Sequence, residues 1–283
     1  MKILKIILNK ILKLCVENKI KVYAVGGPVR DFILTGKQDF DFGFDLDLMV
    51  DHDAIGLGQK MTDLKIKFNP AFKTIKLLDF DIDIATMRSE IYEKSGALPK
   101  VSAGNMATDL KRRDLTINAM AMSLNEENFG EIIDFYGGLS DLKNKIARVL
   151  HEKSFIDDPT RIFRVIRFTA RFDLCFEEET ENLLKQAIKD ELYKNISFDR
   201  LLNEFKKIFK EEKIVIIKIL KMLEKFDLVK SIDEDIKIDY ALFEKTEASD
   251  WFSWFLILVS TLKDKENLMR KFNFTREEKK FLE

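Results

Sequence analysis

Residues 39–50 read Asp39-Phe40-Asp41-Phe42-Gly43-Phe44-Asp45-Leu46-Asp47-Leu48-Met49-Val50. The acids fall on odd positions and every even position is apolar. A strand sends alternate side chains to opposite faces. The stretch therefore predicts a β-strand with one apolar face and a row of carboxylates ending in Asp45 and Asp47. Such a row repels itself unless a cation sits between the charges. Two carboxylates at i and i+2 of a strand can share hard divalent ions. Mg2+ takes oxygen ligands and keeps positions for waters and substrate phosphates. The same residues also suit a solvated edge strand whose charges discourage aggregation. The flanking sequence weighs between the two readings.

Upstream, Lys19 to Val25 predicts a strand, and Gly26-Gly27-Pro28-Val29-Arg30-Asp31 follows it. Glycines after a strand allow close backbone approach, and Pro28 suits a first helical turn. Free N–H groups there, with the helix dipole, can hold phosphate. An ordinary strand-to-helix turn has the same appearance. Met1 to Asn18 carries apolar residues at 4, 7, 8, 11, 14 and 15, the spacing of an amphipathic helix. Lys5, Lys10 and Lys13 interrupt it, so it holds no signal-peptide core.

Downstream, Asp53 to Leu64 predicts a helix, and Phe72 to Leu78 and Phe80 to Thr86 predict two strands. The second of these repeats the alternation, with Asp79, Asp81 and Asp83 facing one way and Phe80, Ile82 and Ile84 the other. Paired beside the first acidic strand, it adds a third carboxylate to Asp45 and Asp47. Carboxylates so placed suit two-metal phosphoryl transfer. A structural calcium site is the rival, though the sequence has no EF-hand loop pattern. Residues 91–107 read as a loop punctuated by Gly96, Pro99 and Gly104. From Asp109 to Met122 apolar residues recur at helical spacing, which predicts a helix with Arg112, Arg113 and Asp114 beside Asn118. A salt-bridged helix face is the plain reading of those arginines. Ile132 to Tyr136 predicts a short strand, Gly137-Gly138 a turn, and Ile146 to Leu150 a last strand.

From Asp157 onward the pattern is helical throughout. Asp158-Pro159 is an N-cap followed by Pro at the first position. Arg161, Arg164, Arg167 and Arg171 then recur along one side of a helix, with Ile162, Val165, Ile166 and Phe172 on the other. No acid stands at i+4 to pair with the stripe before Asp173, so it is read as facing a polyanion or triphosphate. Ser197 caps a helix through Phe209, Glu212 to Phe226 forms another, and Tyr240 to Lys263 supplies one or two more.

Bulk properties bound the rest. The chain has 283 residues, enough for two or three domains, and a net charge of −1. Residues 1–139 carry 19 Lys and Arg against 20 Asp and Glu, and the remainder balances at 29 and 29. A polyanion would be held by local patches, not by overall charge. Two cysteines, Cys15 and Cys175, form no ligand pattern and suggest a reducing compartment. Two histidines, His52 and His151, argue against a multi-His metal site. The phosphate-loop, dinucleotide and zinc-protease signatures are absent. Trp251 to Leu262 is apolar but too short to span a bilayer. A soluble, cytoplasmic protein with no membrane partner is expected.

The assembled order resembles the class II (bacterial-type) tRNA nucleotidyltransferases and their relatives, the bacterial poly(A) polymerases. The matching pieces are Gly26-Gly27-Pro28-Val29-Arg30-Asp31, Asp45-Leu46-Asp47, Asp83-Ile84-Ala85-Thr86-Met87-Arg88, Arg112-Arg113-Asp114-Leu115-Thr116-Ile117-Asn118-Ala119, Asp134-Phe135-Tyr136-Gly137-Gly138 and Asp157-Asp158-Pro159-Thr160-Arg161. Each is weak or moderate alone; together, in family order over about residues 20 to 210, they are specific. The resemblance implies an α+β chain. Residues 1–150 would be a polymerase-β-like nucleotidyltransferase head with a mixed sheet. Residues 151–211 would be a helical neck that selects the nucleotide and binds RNA, and residues 212–283 a helical body and tail that bind tRNA.

It further implies that Asp45 and Asp47 bind two Mg2+ ions and that Asp83 is the third acid, with Asp81 one strand step away. Gly26, Gly27 and Arg30 match triphosphate-binding positions. Arg112, Arg113, Asp114 and Asn118 match the motif associated with choosing ribose over deoxyribose. Asp158 and Arg161 match the pair that reads the incoming base, with Arg164 and Arg167 further along that helix. The chemistry of that pair is sound. Cytosine and adenine each show an exocyclic amine beside a bare ring nitrogen, which a carboxylate and a guanidinium satisfy. Uracil and guanine show a carbonyl beside an N–H, leaving like against like, and unpaired polar groups reject them.

This chain departs from the family at Asp157, where many relatives have Glu, and at Phe72-Lys73-Thr74, where Gly is common in place of Lys73. The last helical region is also shorter than in most members. The expected function is template-independent addition of C and A to the 3′ end of tRNA from CTP and ATP. Close rivals are CC-only or A-only addition and poly(A) synthesis. Rivals of other classes are a catalytically dead RNA-binding module and a nucleotidyltransferase acting on a small molecule or protein.

Overall fold

The computed structural model describes residues 2–36 and 46–282. Asp39 to Asp45, the start of the acidic strand, lies outside the described residues; Leu46 to Val50 lies within them. The chain divides into two compact units, Met1–Glu93 with Pro99–His151, and Lys94–Leu98 with Glu152–Glu283.

The first unit is mixed α/β. Its strands are β1 (Val22–Val25), β2 (Leu46–Val50), β3 (Ile66–Asn69), β4 (Thr74–Leu77), β5 (Ile82–Thr86), β6 (Arg88–Ile91), β7 (Lys100–Ala103), β8 (Ala121–Ser123), β9 (Ile132–Ile133) and β10 (Ile146–Ala147). Seven of them form one sheet in the order β3-β4-β5-β2-β1-β8-β9. Its neighbours are antiparallel except at the centre, where β2 and β5 run parallel. The strands alternate as the sequence demands. Leu46, Leu48, Val50, Ile82 and Ile84 are fully buried on one face. The opposite face carries Asp47 and Asp83, and next to them Tyr23, Val25, Met49 and Ala121, which pack with Met87, Leu110 and Ala119. Each fully buried aliphatic side chain stabilises the fold by about 1.5–3 kcal/mol.

Five helices accompany this sheet: α1 (Lys2–Glu17), α2 (Gly27–Thr35), α3 (Ala54–Gln59), α4 (Met106–Lys111) and α5 (Gly138–Asn144). Helix α3 is shorter than the expected 53–64 span; Asp53 caps it, accepting from the Ile55 N–H at 3.0 Å. Two expectations fail here. Residues 91–107 are not a loop throughout: β6 and β7 pair as an antiparallel hairpin, and α4 begins at Met106. The helix expected over 109–122 stops at Lys111. Leu115 is extended and bridges to Val149, Thr116–Asn118 is a single 3-10 turn, and Ala121 already belongs to the sheet. Each short piece buries its own apolar residue, and the sum imitates helical spacing.

The second unit is almost wholly helical, with α6 (Ser154–Asp157), α7 (Thr160–Phe172), α8 (Glu178–Lys189), α9 (Phe198–Ile208), α10 (Lys213–Lys225), α11 (Tyr240–Lys245), α12 (Trp251–Leu258), α13 (Glu266–Lys271) and α14 (Arg276–Leu282). Cys175–Phe176 is a two-residue strand that the helical reading missed. Helix α7 is the centre of the unit. It packs on α9 and α10, burying Ile162, Phe163, Val165 and Ile166 without exposure, and Phe163 lies 5.9 Å from the Phe205 ring. Ser197 caps α9 by accepting from the Arg200 N–H. Among the described residues no helix is long and apolar enough to cross a membrane.

Candidate functional site

In the first unit, strand register decides which acids meet. The parallel pairing of β2 with β5 sets Leu46 opposite Ile82, Asp47 opposite Asp83 and Leu48 opposite Ile84. Asp47 and Asp83 thus stand side by side on one face, their strands about 4.8 Å apart. Asp81 does not share this alternation. Its φ is 50°, and its carbonyl accepts from the Leu46 N–H at 3.2 Å. Lys76 lies opposite Asp83 on β4. Its ammonium donates to Asp81 Oδ1 at 2.5 Å and to Asp83 Oδ2 at 3.1 Å. The bond to Asp81 above all, then that to Asp83, pushes the Lys76 ammonium well above its usual range, against a burial effect that lowers it.

Asp45 precedes Leu46 and lies outside the described residues. Among the described residues no group of three or more His, Cys, Asp or Glu is arranged to hold a metal. The donors at Asp47 and Asp83 are oxygen alone and adjacent, which fits a hard divalent cation.

The glycine turn lies at the end of β1. Gly26 has φ 75° and ψ −128°, a conformation that a side chain resists, and its N–H donates to the Met120 carbonyl at 3.0 Å. A Cβ there would stand 2.6 Å from Arg113 Nη1, so this guanidinium lies against the bare backbone. Pro28 sits in the first turn of α2 and Arg30 in the next. Arg30 is buried; it donates from Nη1 to Asn118 Oδ1 and from Nε to Asp31 Oδ1 at 2.8 Å. Asn118 in turn donates to Asp114 Oδ1 at 3.0 Å, and the Leu115 N–H donates to the same oxygen at 2.9 Å. The Asp114 to Asn118 contact read from the sequence is present, though no helix makes it.

The two neighbouring arginines part company. Arg112 donates from Nη2 to Asp109 Oδ2 at 3.0 Å and from Nη1 to Glu90 Oε1 at 3.1 Å. Arg88 binds the same Glu90 oxygen, and its backbone N–H donates to Asp109 Oδ2 at 3.2 Å. Burial, followed by the nearby Arg112 charge, lowers the Arg88 guanidinium from its usual value. Arg113 reaches Asp109 Oδ1 at 3.4 Å through Nη2, while its buried Nε has no hydrogen-bond partner. Asp109, 1% exposed, is the hub of this network and was not singled out in the sequence. Its spacing to Arg112 and Arg113 was a usable signal. Lys76 could be found only from strand pairing, and the contact of Glu90 with Arg112 only from the fold. Lys73 has φ 52°, the left-handed conformation that accounts for glycine being common there in the family.

In the second unit, Asp158 sits between α6 and α7. Its Oδ1 accepts from the Thr160 N–H at 3.0 Å, from Thr160 Oγ1 at 2.6 Å and from Arg200 Nη2 at 2.8 Å. Arg161 is buried and donates from Nη1 to Ser154 Oγ at 2.9 Å. Arg164 lies over the Phe168 ring at 5.6 Å. The arginine stripe was expected to face a polyanion, and its distal half does not bear this out. Arg167 is buried, pairs with Glu211 at 2.9 Å and lies over Phe168 at 4.3 Å. Arg171 also reaches Glu211, at 3.5 Å. The acid that neutralises them lies beyond the helix, so no i+4 rule could find it. Burial raises the Asp157 carboxyl above its usual value, and the Arg161 charge opposes that shift.

The poly A polymerase head domain family matches residues 22–148. A curated relative from Aquifex aeolicus (strain VF5), named A-adding tRNA nucleotidyltransferase, is 38% identical over 265 residues, covering 86% of this chain and 31% of the relative. The solved apo form of a CCA-adding enzyme is 32% identical and matches with a TM-score of 0.78 over 99% of this chain and 69% of that one. A tRNA nucleotidyltransferase solved with a primer tRNA and an incoming ATP analog is 31% identical, with a TM-score of 0.75 over 96% of this chain and 82% of that one. The chain spans about a third to a half of the length of the curated relatives it matches.

Proposed function

Because the chain belongs to the tRNA nucleotidyltransferase and poly(A) polymerase family, we propose that it adds C and A to the 3′ end of tRNA from CTP and ATP, without a nucleic-acid template. The observation that carries the reading is Asp47 standing beside Asp83 on adjacent parallel strands, on the sheet face next to the Gly26 turn. Asp45, Asp47 and Asp83 hold two Mg2+ ions, whose chemistry when bound is to activate the attacking hydroxyl and offset charge on the leaving group. The tRNA 3′ oxygen bonds to the α-phosphorus as the bond to pyrophosphate breaks, and the hydroxyl proton passes to solvent.

Gly26, Gly27, Arg30 and Arg113 bind the triphosphate. Asp114 and Asn118 face the ribose, and Arg112 holds their segment through Asp109. In the helical unit, Asp158 and Arg161 read the base. Oδ1 of Asp158 is taken by Thr160 and Arg200, which leaves Oδ2 to accept from an exocyclic amine. Arg164 contributes further along α7. Residues 151–211 serve as neck and 212–283 as body and tail against tRNA. The protein works in the cytoplasm, where its two free thiols, Cys15 and Cys175, stay reduced.

A second reading, terminal A addition alone, draws on the name of the Aquifex aeolicus relative. A tRNA transcript lacking its 3′ CCA, incubated with the protein and Mg2+, separates the readings. Growth by two with CTP and by three with CTP and ATP establishes CCA addition. Growth by one with ATP, only on a transcript already ending in CC, establishes A addition. A long ladder with ATP means poly(A) synthesis. No growth on either transcript overturns the proposal.

A further inference from the structure

Arg200 belongs to none of the motifs that carry the family resemblance, yet its guanidinium pairs with the carboxylate proposed to read the base. It lies in the first turn of α9, with its backbone N–H on the capping Ser197 hydroxyl. Its planar guanidinium makes two bonds. Nη2 donates to Asp158 Oδ1 at 2.8 Å and Nη1 donates to the Gly96 carbonyl at 3.0 Å. Both side chains of the ion pair are largely shielded from solvent, at 27% and 19% exposure, so screening weakens it less than a surface pair.

The anchor is itself fixed. Gly96 has φ 77°, and a Cβ there would stand 2.2 Å from the Asn195 carbonyl oxygen. A side chain does not fit there, so the Gly96 backbone lies close against that of Asn195 within the helical unit. The backbone of Asp158 is held too, by the proline that follows it. What freedom remains is rotation of the carboxylate. Three donors on Oδ1, two from Thr160 and one from Arg200, remove that freedom and fix where Oδ2 points.

We propose that Arg200 is a positioning residue for base selection. Anchored on the Gly96 carbonyl, it locks the Asp158 carboxylate so that Oδ2 alone is offered to the base amine. Discrimination by a hydrogen-bonding site depends on the acceptor being held still. A carboxylate free to turn can move away from a mismatched carbonyl and lose its power to reject it. The inference rests on the base-reading role given to Asp158 above.

The test measures kcat/KM for single addition of CTP and ATP against UTP and GTP, with melting curves recorded in parallel. Arg200→Met should reduce discrimination against UTP and GTP by tenfold or more while melting cooperatively. Arg200→Lys, which keeps the charge but reaches only one acceptor, should recover part of the loss. Gly96→Ala, which displaces the anchor, should relax selection in the same direction. Should Arg200→Met fail to fold, Arg200→Gln, which keeps a donor at reduced reach, is read in its place with the same expectation. A uniform drop for all four nucleotides with the ratio unchanged would overturn the inference and leave Arg200 a structural residue. Wild-type protein that adds nucleotides without preferring CTP and ATP would overturn the reading of Asp158 along with it.

Discussion

Cys15 and Gly26 show how single residues divide between packing and backbone geometry. Cys15 lies on the buried face of α1, and burial, with the Asp51 charge second, pushes its thiol up to about 11 from an ordinary 9.0. The folded value is the higher one. Its stabilising contribution is therefore whole below the unfolded value and is lost as pH rises through about 11. Near neutral pH the thiol is protonated and shielded, whereas Cys175 is exposed. A thiol titration with an aromatic disulfide at pH 8 should count one cysteine in the native protein and two in guanidinium. Two rapid equivalents in native buffer would refute the burial of Cys15. Gly26 is a backbone constraint. Its φ of 75° with ψ of −128° is costly for alanine, about 1–3 kcal/mol. The added Cβ also displaces Arg113 Nη1 from the turn. Gly26→Ala should raise KM for CTP and ATP about tenfold or more with a modest fall in Tm. An unchanged KM would remove the turn from the triphosphate site.

At the scale of elements, α4 depends on charge more than on length. Six residues cannot hold a helix in isolation, and the Asn105 and Thr108 capping box satisfies only its first turn. The buried Asp109 carboxylate ties it to Arg112, Arg113 and the start of β6. Removing one partner of such a network leaves buried cations uncompensated. Asp109→Ala should therefore cost about 3–5 kcal/mol, read as a lower urea midpoint. A loss below about 1 kcal/mol would mean that solvent already screens these pairs. The same element shows where sequence reading stops. Strands β2 and β5 were legible because their alternation is local and strict. The hairpin of β6 and β7 was not, since β6 is half-buried at successive positions and β7 is mostly exposed, so neither carries an alternating pattern. Residues 109–122 were misread because a short helix, a 3-10 turn and a strand, placed end to end, mimic one helix. Seeing that Asp83 and not Asp81 stands opposite Asp47, or finding Glu211 for Arg167, needed pairing between distant segments, which no local pattern encodes.

Across the whole molecule, folding and chemistry rest on different terms. Both units have apolar cores of their own, built around Leu48 and Ile84 in one and Phe163 and Phe205 in the other. With a net charge of −1 there is little global repulsion for a cation to relieve. Chelation should accordingly leave the fold intact and remove activity alone. Charge is concentrated locally instead, where Asp47 and Asp83 stand side by side and Lys76 donates to Asp83. A divalent ion binding there stabilises the native state as RT ln(1 + [L]/Kd), about 2.7 kcal/mol at a hundredfold excess over Kd. Millimolar Mg2+ should raise Tm by a few degrees beyond a monovalent salt of equal ionic strength. Asp47→Asn should abolish that increment and nucleotide addition together. If the Mg2+ increment survives in Asp47→Asn, the ion that stabilises the protein sits away from the paired acids, and the assignment of Asp47 as its ligand fails.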